Sequence, residues 1–142
     1  MKKTPRSLAR ELVLKALYAC QMGGDTPDEV FHSVLVDDDE PPSEESLKYA
    51  RGLFKLVLEH KDWADEHIRR LADNWVLERI ATIDRFILQM AMVELEFLPD
   101  VPVKVVINEA IELAKTFSLP QSSAFVNGIL DSFAKQKETP RN

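Results

Sequence analysis

Apolar side chains recur at intervals of three and four residues along most of this 142-residue chain, which is the spacing of one face of an α-helix. The first such segment, RSLARELVLKALYACQM at 6–22, contains neither glycine nor proline. The β-rich stretch VPVKVVI at 101–107 continues into the same helical spacing, so it does not predict a strand. The pattern therefore predicts an all-α fold with about seven helices.

Local start signals divide this pattern into elements. Thr4 followed by Pro5 predicts an N-cap and the first helical position of the first helix. Thr26, with Glu29 three residues later, has the spacing of a capping box and predicts the second. Ser43 predicts the cap of the third helix.

The middle of the chain predicts further helices. Apolar positions from 62 to 75 form a stripe of their own, which we interpret as a fourth helix. Residues 76–98 are typical of a short helix followed by a longer one, for which Thr82 is the candidate cap. The remaining helices follow Pro102 and Pro120. The length of the chain predicts a single domain over residues 1–142.

Charge is distributed unevenly. The formal net charge is −6, and nine acidic residues with no basic one lie between Asp25 and Glu45. The first ten residues, MKKTPRSLAR, carry four cations and no acid. The acidic balance argues against a protein that coats duplex DNA, but a local basic site remains available because salt screens charges beyond about 10 Å.

Most enzyme signatures are absent from the sequence. Four glycines form neither GxGxxG nor a phosphate loop, and one cysteine with three dispersed histidines has no zinc-site spacing. We therefore predict no catalytic residues, no metal site and no cofactor. The lone Cys20 excludes an internal disulfide and favours the cytoplasm. The apolar run at 86–93 is far shorter than the ~20 residues of a membrane span.

Four stretches together closely resemble the NusB family of bacterial transcription antitermination factors. They are ARELVLKALYACQ at 9–21, NWVLERIATIDRFILQMAMVELEF at 74–97, VPVKVVINEAIELAKTFS at 101–118 and FVNGILD at 125–131. The resemblance covers nearly the whole chain, and VINEAIELAK followed by FVNG is a specific combination.

The resemblance implies a fold and a role. It implies two packed helical halves, which we place at 1–73 and 74–135, before a loose tail at 136–142. NusB-like proteins pair with NusE, which is also a small-subunit ribosomal protein. The pair holds single-stranded boxA RNA and helps the RNA polymerase antitermination complex to read through terminators, notably in ribosomal RNA operons.

The resemblance also implies site residues. RNA contacts are expected from Lys2, Lys3, Arg6, Arg10, Phe125 and Asn127, and NusE contacts from Glu78 and Asp84. Arg6 and Arg10 are four apart and share a face as the first helix begins. Many relatives have a denser arginine cluster where this chain has RSLAR, so some phosphate contacts are expected to be lost.

Several of these residues have a structural alternative. Phe125 is either a core aromatic or a stacking surface for a base at the start of the last helix, whose free N–H groups favour a nearby phosphate. Asn127 either forms a hydrogen bond to a neighbouring helix or contacts RNA. Glu78 and Asp84 are either partner contacts or capping and solvated residues.

Two other functions stay open at this point. One is a helical protein-interaction module that binds no RNA. The other is a relative of the N-terminal domain of ribosomal RNA cytosine methyltransferases, whose chains continue into a cofactor-binding domain, whereas this chain stops at Asn142. Apolar helix faces are also compatible with a homodimer.

Overall fold

The computed structural model describes residues 3–23, 26–36, 41–72 and 79–138. These residues form no strand, and their helices are α1 (Pro5–Met22), α2 (Pro27–Val36), α3 (Glu44–Leu71), α4 (Thr82–Phe97), α5 (Val103–Phe117) and α6 (Ser122–Glu138). The all-α prediction is confirmed, with six helices in the described ranges where about seven were expected.

The predicted starts of α1, α2 and α3 are confirmed by their cap hydrogen bonds. The Thr4 hydroxyl accepts from the Ser7 backbone N–H at 3.1 Å, with Pro5 at the first helical position. Thr26 and Glu29 form the reciprocal capping box, each backbone N–H donating to the other side chain at 3.3 Å. The Ser43 hydroxyl accepts from a backbone N–H of α3 at 3.1 Å.

Two expectations about the middle of the chain were wrong. The predicted third and fourth helices are the single helix α3, because no glycine or proline follows Gly52 before its end at Leu71. Thr82 does not cap α4: Ala81 occupies the N-cap, and no side chain bonds there. The predicted short helix near 76 lies largely outside the described residues.

The chain divides into two compact units between Leu58 and Glu59, within α3. The single domain with halves 1–73 and 74–135 stays a prediction. In the first unit α1 packs against α2 through a buried apolar face, and the rings of Phe31 and Phe54 stack at 5.4 Å.

The first unit also fixes the start of α1 against the start of α3. Ser46 is 1% exposed, and its hydroxyl donates a hydrogen bond to the Pro5 carbonyl oxygen at 2.9 Å. This partly buried bond between residues 41 apart in sequence holds the first turns of both helices together. The basic end of α1 therefore has a defined support.

In the second unit α4, α5 and α6 pack against one another. Helix α4 is buried almost all round, including the polar Asp84, Gln89 and Glu94. Within the described ranges no buried side-chain nitrogen or oxygen lacks a hydrogen-bond partner. Helix α6 continues to Glu138, where Lys137 pairs with Glu96 at 2.5 Å.

Candidate nucleic-acid interface

The predicted arginines at the start of α1 converge on one aromatic ring of α3. The Arg6 Cζ atom lies 4.8 Å from the centroid of the Tyr49 ring, and the Arg10 Cζ atom lies 5.6 Å from it. These distances are within the range of a cation–π contact. Arg6 and Arg10 therefore share a face, as their spacing predicted.

The two arginines differ in exposure. Arg6 is exposed to solvent, whereas Arg10 is only 2% exposed. A guanidinium in that position is not presented to a phosphate in the way the sequence led us to expect. At the basic end of α1, Arg10 therefore packs inside the unit, and Arg6 is the arginine that faces solvent.

Of the two lysines that precede α1, the structure describes Lys3. The Lys3 ammonium forms an ion pair with the Glu11 carboxylate, which lies mostly buried on α1. Lys2 lies outside the described residues. Direct RNA contacts by Lys2, Lys3 and Arg10 stay predictions.

In the second unit, Phe125 borders a half-open, mostly apolar cavity of about 200 Å³. The residue is half-buried in the first turn of α6. An apolar cavity of about 150 Å³ accommodates benzene, so this one has room for a single ring. The cavity is lined by Arg79, Ile80, Ala81, Asp84, Leu119, Gln121 and Phe125.

Asp84 lies in the wall of this cavity and bonds within the chain. The residue is 6% exposed, and its carboxylate accepts from the hydroxyls of Ser118 and Ser122, the latter at 2.8 Å. The Ser122 hydroxyl also accepts from the Leu119 backbone N–H at 3.2 Å. The carboxylate thus already supplies negative charge at the start of α6, where a phosphate had been anticipated.

Asn127 is exposed on α6, directly after the buried Val126, and is available to a ligand. Glu78 lies outside the described residues. Asp84 and Phe125 come together around the cavity, and Arg6 and Arg10 come together over Tyr49. Arg6 and Arg10 belong to the first unit, whereas Asp84 and Phe125 belong to the second.

The predicted site residues did not include Tyr49, which lies beneath the arginines, or the polar Arg79 and Gln121 at the cavity. Arg79 is exposed at the cavity wall and adds a cation to it. The sequence could have pointed to Tyr49 only as an aromatic residue on α3, the helix that follows the acidic residues. No local pattern marks Arg79 or Gln121.

The described ranges contain neither a grouping of metal ligands nor a helix suited to span a membrane. There, no three His, Cys, Asp or Glu side chains are grouped so that they could hold a metal ion. None of the helices in the same ranges has both the length and the apolarity needed to cross a membrane.

Comparison with known proteins places this helical architecture in a family. The model of the NusB family matches residues 7–135. The transcription antitermination protein NusB of Dehalococcoides mccartyi is 42% identical over 132 residues, which are 93% of this chain and 91% of that protein. The chain therefore belongs to the NusB family.

Solved structures agree with this assignment. NusB of T. maritima superposes with a TM-score of 0.85 at 35% identity, covering 95% of this chain and 94% of that one. A chain from the crystal structure of the antitermination factors NusB and NusE in complex with double-stranded RNA has a TM-score of 0.82 at 24% identity. That alignment covers 93% of this chain and 97% of the other, and it supports the fold.

Proposed function

We propose that this chain is a transcription antitermination factor that binds single-stranded boxA RNA together with NusE, within the antitermination complex of RNA polymerase. The observation that carries the proposal is the family match over residues 7–135, whose curated relatives are named transcription antitermination proteins. The proposed role is binding and not catalysis.

The charge at the start of α1 supports a phosphate contact there. The first turns of α2 and α3 each hold two acidic residues, which is the usual complement to a helix N-terminus. The first turn of α1 has no acidic residue and carries Arg6. A bound phosphate would supply the missing negative charge to both the guanidinium and the free N–H groups.

The cavity beside Phe125 supports a base contact. An aromatic ring that is half-buried is held in place and yet offers surface to a nucleobase, and stacking of this kind is independent of sequence. Exposed Arg79 at the same cavity supplies a cation for the adjoining phosphate. We propose this cavity as the place where one base of the RNA is held.

The acidic remainder of the chain supports the need for a partner. A protein with a net charge of −6 offers RNA only local cationic sites, so its own affinity is limited. A second RNA-contacting protein would add contacts without altering this chain. We propose NusE as that protein, with Glu78 and Asp84 near the contact, where Asp84 acts by fixing the start of α6.

The test is a thermodynamic cycle with boxA RNA and NusE. RNA affinity is measured with and without NusE, and NusE affinity with and without RNA; a scrambled RNA of equal length is the control. Linkage requires the two enhancement factors to be equal. We expect both factors to exceed about five-fold, as is typical of coupled sites.

The cycle also separates the alternatives. NusE binding with no RNA binding in either state would identify a protein-interaction module and overturn the RNA role. RNA affinity that is equal with and without NusE would overturn joint binding. Equal affinity for boxA and scrambled RNA would overturn the assignment to boxA.

A further inference from the structure

Tyr49 connects two like charges that would otherwise repel each other. Arg6 and Arg10 are one helical turn apart, and like charges at this spacing are destabilising. Both guanidinium carbons lie within 6 Å of the centroid of the Tyr49 ring, at 4.8 and 5.6 Å. The negative potential of the ring attracts both cations and so offsets their repulsion.

The three residues are buried to different degrees. Arg10 is 2% exposed, Tyr49 is half-buried and Arg6 is exposed. The hydrogen bond from Ser46 to the Pro5 carbonyl, one turn before Tyr49 on α3, fixes this helix against the start of α1. The ring is therefore a supported platform, and Arg6 is the flexible side chain that rests on it.

We infer that Tyr49 is a positioning residue for RNA binding, which holds the guanidinium of Arg6 ready for a phosphate. An arginine side chain loses much rotamer freedom when it is fixed, and an arginine that is already oriented loses less on binding. This inference rests on the proposed function, because the phosphate belongs to the RNA of that proposal. It assigns a role to a residue that itself carries no charge.

The first measurement compares two substitutions of Tyr49 by boxA RNA titration in the presence of NusE. Tyr49→Phe keeps the ring and is expected to bind within two-fold of the wild-type chain. Tyr49→Leu removes the ring and is expected to weaken binding about two- to five-fold, the range of an exposed cation–π contact. Because no charge is removed, the slope of log affinity against log salt should not change.

A control variant separates positioning from general loss of packing. Phe54→Leu changes a 5% exposed ring on the same helix, which stacks on Phe31 and is not the ring beneath Arg6 and Arg10. We expect it to lower the melting temperature without changing RNA affinity. If Phe54→Leu and Tyr49→Leu weaken RNA binding equally, Tyr49 has no positioning role.

A double-mutant cycle tests whether Tyr49 acts through Arg6. Combined with Arg6→Ala, the change Tyr49→Leu should cost no further affinity, because its target is already absent. An equal loss in the wild-type and Arg6→Ala backgrounds would overturn the inference.

The last readout requires no RNA. The Arg6 Cζ atom lies over the Tyr49 ring, so the NMR signals of the neighbouring side-chain N–H and Cδ–H protons should show a ring-current shift in the free wild-type chain and in Tyr49→Phe, but not in Tyr49→Leu. If RNA binds and this shift is absent, the inference alone fails. If the shift is present and the wild-type chain binds no RNA, the proposed function fails.

Discussion

Arg85 and Asp65 form a two-point ion pair between α4 and α3. The Arg85 Nε and Nη2 groups donate to the two carboxylate oxygens of Asp65 at 3.1 and 2.6 Å. Asp65 is 5% exposed and also accepts from the Gln89 amide at 2.7 Å. One buried carboxylate therefore holds two polar side chains of α4.

We expect Asp65→Ala to be among the most destabilising single changes in the second unit. It removes the buried carboxylate to which Arg85 and Gln89 donate, and losing a buried acceptor of this kind costs about 1–3 kcal/mol. Glu66→Ala is the control, because its ion pairs with Arg69 and Arg70 are exposed and worth less than about 1 kcal/mol. Urea unfolding of both variants checks this, and equal losses would contradict it.

The buried Asp84 carboxylate gives a second stability prediction. Asp84→Ala leaves the Ser118 and Ser122 hydroxyls without their shared acceptor, so we expect a loss of about 1–3 kcal/mol. Restoring shape without the charge, as Asp84→Asn, should recover only part of this loss, because an amide accepts through one oxygen. If Asp84→Ala unfolds like the wild-type chain, the carboxylate does not fix the start of α6.

His67 gives a prediction about pH. Burial lowers the pKa of His67 below its ordinary value of 6.5, and the Arg70 charge lowers it further, although Glu96 and Glu66 act in the opposite direction. The ring packs edge-on against Trp63 and Phe133, at 4.8 and 5.2 Å between centroids. The folded chain therefore binds this proton less tightly than the unfolded chain does.

The sign of the effect follows from that difference. The contribution of neutral His67 to stability is present above pH 6.5 and is lost as the pH falls below this value towards the folded-state pKa. We expect His67→Gln to lose less stability than the wild-type chain between about pH 7 and pH 5. The exposed His32→Gln is the control and should follow the wild-type curve. If stability changes with pH in the same way in all three chains, His67 does not cause the loss of stability at low pH.

Phe125 is tested by a substitution that keeps bulk and removes the ring. Phe125→Leu should lower RNA affinity by about 1–3 kcal/mol, the value of one stacked base, while Phe125→Tyr should bind like the wild-type chain. The matched core control is Phe133→Leu, whose ring is 2% exposed. We expect that change to lower the melting temperature and leave RNA affinity unaltered. A loss of stability without loss of affinity in Phe125→Leu would assign this ring to the core.

The sequence predicted the features that depend on near neighbours. The caps at Thr4, Thr26 and Ser43 are confirmed because each is set by residues within one helical turn. The division of α3 into two helices was wrong. The apolar stripe changes direction within α3, but no glycine or proline ends the helix there. Helix existence was therefore more predictable than helix continuity.

The candidate site was less predictable because its geometry depends on distant residues. Arg10 looks like a surface cation in its own helix, and its burial accompanies packing that brings its guanidinium over the Tyr49 ring of α3. Asp84 likewise looks like a solvated acid in the first turn of α4, until Ser118 and Ser122 meet it across 34 and 38 residues of sequence. Only the tertiary structure separates presented charges from buried ones.

Whether Arg6 holds an RNA phosphate is measured by the salt dependence of boxA RNA binding by the wild-type chain and by Arg6→Ala. If Arg6 contacts a phosphate, its removal should weaken binding and flatten the slope of log affinity against log salt by about 0.7, the contribution of one phosphate on a single strand. Arg69→Ala removes the same charge from an exposed position that pairs with Glu66, and it should leave the slope unchanged. A slope for Arg6→Ala that equals the wild-type slope would show that the exposed arginine at the start of α1 has no part in holding the RNA.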